Sequence, residues 1–220
     1  ADRSKPGPVR FDEATEAFVT AQGILPARFA SGHVQYRNVE RIVQAVPGTR
    51  LFTTLREPVA RLVSDFLYQR SPMHPLAEEV KRRIPDMDAF VELKGQRNRM
   101  ARHLLPPRFA KVGDVPGAVR FLRMRYAFVG IQERYELGVR ALSTRLGKQR
   151  LPSARMRVNE GAAEERARAI ARVADPALRR RIEELNGLDM AIYAEIAGAW
   201  DRIAAPLAAR LDEIAGRAAA

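Results

Sequence analysis

The sequence predicts an α/β fold in which many helices surround a small parallel sheet. Two short runs have strand character, "TRLFTTLR" (49–56) and "RYAFVGI" (125–131). A helical stripe follows the first of them, and most of the remaining chain reads as helix. Few strands separated by many helices argue for this class.

Residues 1–10 read as loop, with Pro6, Gly7 and Pro8 expected to break any regular element. "FDEATEAFVTAQG" (11–23) is a short helix closed by Gly23. "RFASGHVQY" (28–36) is a short strand or an extended turn. "RNVERIVQAV" is helical and ends at Pro47-Gly48. The strand at 49–56 is rich in Thr, Leu and Phe and bounded by turn signals. From Pro58 the apolar residues fall at Val59, Leu62, Val63, Phe66 and Leu67, the stripe of a helix packed on a core. Proline suits the first helical position, where no N–H is missed. Asp86 is placed to cap a helix carrying Met87, Phe90 and Val91. After the second strand, a helix near Glu133–Leu146 stops at Gly147. Asp175-Pro176 opens another, and a long amphipathic segment follows, which Pro206 is expected to kink or divide. Within it Leu188, Ile192, Ile196 and Trp200 lie near one face, so Asp189 and Tyr193 read as packing residues. There is no internal repeat.

At 220 residues, 46% hydrophobic and 29% charged, the chain can bury a real core. No run approaches the ~18 apolar residues of a membrane span. The first residues lack the apolar centre of a secretory signal, so a soluble cytoplasmic protein is the expectation. The absence of cysteine excludes disulfides, thiolate metal sites and a cysteine nucleophile. The net charge of +12 points to anionic partners. Only five of the 38 basic residues are lysines; arginine favours phosphate and sulfate, and a GC-rich genome gives the same bias.

The junction "LFTTLREPVARLVSDFLY" (51–68) holds the most chemistry. In open α/β sheets ligands bind beyond the carboxyl ends of the strands. Arg56 stands at such an end, and the N-terminus of the next helix points its partial positive charge to the same place. Ser64, beside the apolar stripe, adds a hydroxyl. Together these make a phosphate site. The alternative is Arg56 paired with Glu57 and Ser64 bonded to its own helix. Arg61 faces away from the stripe, which suits solvent or a salt bridge.

This segment resembles the 3′-phosphate-binding element of sulfotransferases that use 3′-phosphoadenosine 5′-phosphosulfate (PAPS). The similarity is greatest to the carbohydrate branch that includes heparan sulfate 2-O-sulfotransferase and its bacterial relatives. Four further segments resemble that branch in the same order: "SGHVQYRN" (31–38), "NRMARHLL" (98–105), "YAFVGIQERYE" (126–136) and "EELNGLDMAIY" (183–193). The resemblance implies a helix-rich three-layer fold of the P-loop nucleotide-binding kind. It implies transfer of a sulfuryl group from PAPS, without a metal, to a hydroxyl of a carbohydrate. It assigns Arg56 and Ser64 to the 3′-phosphate and His33 to the general base, a task a neutral imidazole suits. His74 and His103 match no catalytic element. Arg155 or Arg157 would lie in a loop over the nucleotide.

One signature of that family is missing: the lysine- and glycine-bearing loop whose amides cradle the 5′-phosphosulfate. "RSKPGP" (3–8) has no strand before it and no Gly-Thr after it. The expectation is a single domain over 1–220 that lacks its first strand and that loop, with half a nucleotide site. The competing reading is a basic, helical nucleic-acid-binding module without catalysis. Basic residues that scatter along the chain and the lack of any zinc-finger, basic-zipper or aromatic RNA-binding motif argue against nucleic acid. The absence of G-x-x-x-x-G-K-[ST] argues against ATP.

Overall fold

The computed structural model describes residues 7–24, 26, 29–32, 34–147 and 163–219. Its elements in chain order are α1 (Gly7–Gln22), α2 (Tyr36–Ala45), β1 (Phe52–Leu55), α3 (Pro58–Arg70), α4 (Ala77–Arg83), α5 (Met87–Glu92), α6 (Arg99–Leu104), α7 (Pro107–Val112), α8 (Val115–Arg125), β2 (Phe128–Ile131), α9 (Tyr135–Arg145), α10 (Ala163–Val173), α11 (Pro176–Leu185) and α12 (Gly187–Ala219). The protein is mostly helical. Both expected strands are present, and they form a two-stranded parallel sheet with Phe52 opposite Phe128 and Leu55 opposite Ile131.

Gly130 shapes β2. A Cβ there would stand 2.8 Å from the Phe128 ring, two residues back on the same face. Without it the ring lies along the strand and meets Trp200 edge-on at 5.9 Å between centroids. The Trp200 indole N–H donates to the Val129 carbonyl at 2.9 Å, so α12 covers a main-chain acceptor of β2.

Two apolar clusters hold the helices. The first joins Leu55 and Ile131 of the sheet to Leu105, Leu122, Ile192 and Ile196. The second lies under α3, where Val59, Leu62, Val63, Phe66 and Leu67 are all buried. They pack with Phe90 of α5, Val173 of α10 and Ile182 of α11. Each fully buried side chain of this size contributes about 1.5–3 kcal/mol. The caps stand where the sequence places them. Asp86 accepts from the Ala89 N–H at 2.9 Å, and Asp175 accepts from Ala177 and Leu178, both at 3.0 Å. Gly48 and Gly147 end their helices with φ of 82° and 66°.

Three local expectations are corrected. α1 begins at Gly7 rather than at Phe11, because a proline in the first turn gives up no intrahelical bond. Residues 29–32, 34 and 35 form no strand, which leaves the extended turn of the two alternatives. α12 is not divided at Pro206. That proline is exposed, on a face where water can bond the carbonyl its ring leaves unpaired.

The two clusters meet at a buried polar clasp. Asp189, in the first turn of α12, is fully buried, and its two oxygens accept from the Met100 and Ala101 N–H groups at 2.9 and 2.8 Å. Its carboxylate therefore caps α6. Asn98 returns the bond, its Oδ1 accepting from the Asp189 N–H at 3.1 Å. The Asn98 N–H donates to Asn186 Oδ1 at 3.1 Å, and Asn186 Nδ2 donates to the Ile182 carbonyl at 3.0 Å. Asn98 takes φ 42° to do this, a left-handed conformation that asparagine tolerates better than most residues. Asp189 is thus more than the packing residue expected.

Burial raises the Asp189 carboxyl above its usual range, against the lowering effect of the two N–H donors, Arg61 and Arg102. The folded chain therefore holds this proton to higher pH than the unfolded chain. The group favours folding most at low pH, and its contribution falls as pH rises through the folded value. Asp189→Asn turns one acceptor oxygen into a donor facing an N–H. We expect a loss of about 1–3 kcal/mol at neutral pH, read by urea unfolding, together with loss of this part of the pH dependence.

Candidate anion-binding site at the strand ends

The C-terminal ends of β1 and β2 are tied together by main chain and side chain. The Glu57 N–H donates to Glu133 Oε1 at 3.0 Å. The Glu57 carboxylate turns back over α3 and accepts from the Val59 and Ala60 N–H groups at 3.1 and 2.7 Å. With Pro58 at the first helical position, this N-cap sets the angle at which the chain leaves the strand. The Tyr193 hydroxyl, from α12, bonds the Glu133 carboxylate; burial first, then that bond and the nearby charges, push the phenol far above its ordinary range.

Arg56 sits at the bend, half-buried, and Ser64 is half-buried on the flank of α3. Arg56 has no ion pair or hydrogen bond among the described residues, and Ser64 has no hydrogen bond among them. The alternative in which Arg56 pairs with Glu57 is not what forms, because both Glu57 oxygens are spent on the helix. From Pro58 to Ser64 is about 9 Å along the helix axis. An anion that meets both groups would lie along the side of α3.

The helix terminus itself is not open to a ligand. Its first free N–H groups already bind Glu57, so the expected contribution of the α3 N-terminus is corrected: side chains alone are available. One guanidinium stands here with two carboxylates, Glu57 and Glu133. An anion at this turn depends on directed bonds to Arg56 and Ser64, not on local net charge.

Of the two roles the sequence leaves Arg61, solvent or a salt bridge, the second is what forms: its side chain is 17% exposed and faces Asp65. It donates to Gln96 Oε1 at 3.0 Å and to the Gln96 carbonyl at 3.2 Å, and it lies 4.0 Å from Asp65. Gln96 in turn donates to Asp65 at 2.9 Å, and Arg99 pairs with the same carboxylate. Burial pulls the Arg61 guanidinium down from its usual value. The network ties α3 to α6 and consumes Arg61 structurally. The sequence reading gives Glu133 no role and Tyr193 a packing role only; the signal available was their place in two of the segments resembling the sulfotransferase branch.

His33, Arg155 and Arg157 lie outside the described residues. His74 accepts from the Leu76 N–H at 3.3 Å and packs edge-on against Tyr68. A separate small apolar cleft, lined by Thr54, Phe128, Tyr135, Val139 and Leu142 among others, contains no charged side chain.

Compared with protein-family models, with curated proteins and with solved structures, the chain matches none.

Glu57→Ala removes the cap and the brace on the turn. We expect a loss of about 1 kcal/mol, within the 0.5–2 kcal/mol range of such caps, measured as a lowered urea midpoint at unchanged slope.

Proposed function

We propose that the chain is a PAPS-dependent sulfotransferase in which Arg56 and Ser64 hold the 3′-phosphate of the donor. The observation that carries this reading is an uncommitted guanidinium at a braced strand end, with an uncommitted hydroxyl two turns along the flank of the helix that follows. Around that turn Glu57, Glu133 and Tyr193 bond one another or the main chain, whereas the guanidinium and the hydroxyl do not. A fork of N–H donors and a hydroxyl are the groups a phosphate takes. A second observation supports it: segments that resemble the family from distant parts of the sequence contact one another, two of the contacts at this corner and one at the clasp. Residues 51–68 meet 126–136 through Glu57 and Glu133, 126–136 meet 183–193 through Glu133 and Tyr193, and 98–105 meet 183–193 through Asn98 and Asp189.

The residues present fit one half of the donor. PAPS would supply the sulfuryl group. Arg56 and Ser64 would bind and orient its ribose phosphate, and His33 would take the proton from the acceptor hydroxyl, which we assign to a carbohydrate. In this reading the small parallel sheet belongs to a three-layer, P-loop-like nucleotide-binding fold, and the 5′ side of the donor needs groups beyond those found in this sequence.

Titration with adenosine 3′,5′-bisphosphate tests the reading directly. Saturable binding should weaken about 10-fold or more in Arg56→Ala, the cost of losing a charge-assisted bond, and less in Ser64→Ala. Equal binding by the wild type and Arg56→Ala, or preference for ATP, overturns it. His33→Ala should retain that binding.

A further inference from the structure

We propose that the outward face of α8, with the start of α7, docks on an anionic lipid surface. The positive charge of the chain is not scattered evenly, contrary to the sequence expectation. Residues 93–131 contain nine lysines and arginines against the single acid Asp114, a net charge of +8 out of +12. Residues 163–219 contain nine against ten acids. Three of the nine in residues 93–131 meet acids from outside that segment, Arg97 with Glu92, Arg99 with Asp65 and Arg125 with Glu40, which leaves +5 there. This remains the positive part of the molecule, and a charged plane orients it with α6 to α8 inward.

Most arginines elsewhere are spent on partners: Arg70 pairs with Glu165, Arg172 with Asp88 and Arg181 with Glu92. Arg108, Arg120 and Arg123 are exposed and have no ion pair among the described residues. Arg120 and Arg123 stand one helical turn apart on α8, Arg120 opposite its buried Ala118, Val119 and Leu122 and Arg123 on the flank. Met124 stands beside them, 81% exposed.

That methionine selects among the polyanions. Duplex nucleic acid or an acidic polysaccharide would meet the guanidiniums as well as a lipid headgroup does, but would leave the thioether against water and anionic groups. A membrane surface takes the cations at the headgroups and the apolar side chain at the acyl boundary. Such contact is peripheral. No described helix is long and apolar enough to cross a membrane.

The test is co-sedimentation of the whole chain with vesicles of phosphatidylcholine and with an equal mixture of phosphatidylcholine and phosphatidylglycerol. Binding should require the anionic lipid and fall with salt. The double variant Arg120→Glu, Arg123→Glu should lower partitioning at least tenfold, since each basic residue near the surface is worth about fivefold. Arg168→Glu with Arg180→Glu, exposed positions in the charge-balanced part, makes the same change in net charge and should stay within about twofold of wild type. Met124→Ser should cost about threefold at unaltered charge, and Arg56→Ala nothing, which separates this surface from the nucleotide site. Absence of a preference for anionic vesicles, equal losses in the two double variants, or tighter binding to duplex DNA or an acidic polysaccharide than to vesicles would each overturn the proposal.

Discussion

The reciprocal cap between α6 and α12 is the interaction on which the arrangement of this molecule depends. A helix terminus leaves main-chain groups without partners, and burying such a terminus is costly unless a side chain answers. Here two termini answer each other across some 90 residues of sequence: Asp189 caps α6, and Asn98 caps α12. The carboxylate surrenders its water for this, and burial dominates its proton affinity. Two N–H donors, with the positive charge of Arg61 and Arg102 nearby, are what make a buried anion tolerable at that point. Because α6 belongs to the sheet cluster and the α11–α12 junction borders the α3 cluster, the clasp also holds the two apolar groups together.

With that frame in place, the strand ends become a defined corner. α12 carries Tyr193 to Glu133, Glu133 holds the Glu57 N–H, and Glu57 caps α3. Each link removes freedom from the bend that carries Arg56. An arginine whose backbone is held on both sides retains only side-chain freedom, which lowers the entropic cost of ordering it on an anion. The same chain of contacts explains why the helix terminus takes no ligand. The residue that shapes the turn has already filled the positions an anion would use.

Charge is distributed on a larger scale by the same division of labour. In the helices around the α3 cluster, guanidiniums pair with acids across element boundaries, as Arg172 does with Asp88 and Arg181 with Glu92. Around α6 to α8 acids are fewer: Arg99 and Arg125 reach Asp65 and Glu40, Arg102 bonds the Gly95 carbonyl, and Arg108, Arg120 and Arg123 turn outward. Exposed pairs contribute little to stability. Their effect is on the field, leaving one side of the molecule near neutrality and the other strongly positive.

The elements themselves were legible in the residues. The stripe at Val59, Leu62, Val63, Phe66 and Leu67, the caps at Asp86 and Asp175, and the stops at Gly48 and Gly147 all depend on neighbours within a turn or two. Local periodicity and local hydrogen bonding are enough to specify such features. What neighbours in sequence could not decide were the partners of polar groups. The helical wheel left Arg61 between solvent and a salt bridge because it knows nothing of Gln96, and it left Asp189 a packing residue because Met100 and Ala101 are far away in the chain. Likewise Arg56 was visible as a charge at a strand end, but only the fold decided that Glu57 would bind the helix and leave the guanidinium unpaired. Amphipathic pattern is a property of a segment; the satisfaction of a buried donor or acceptor is a property of the whole chain.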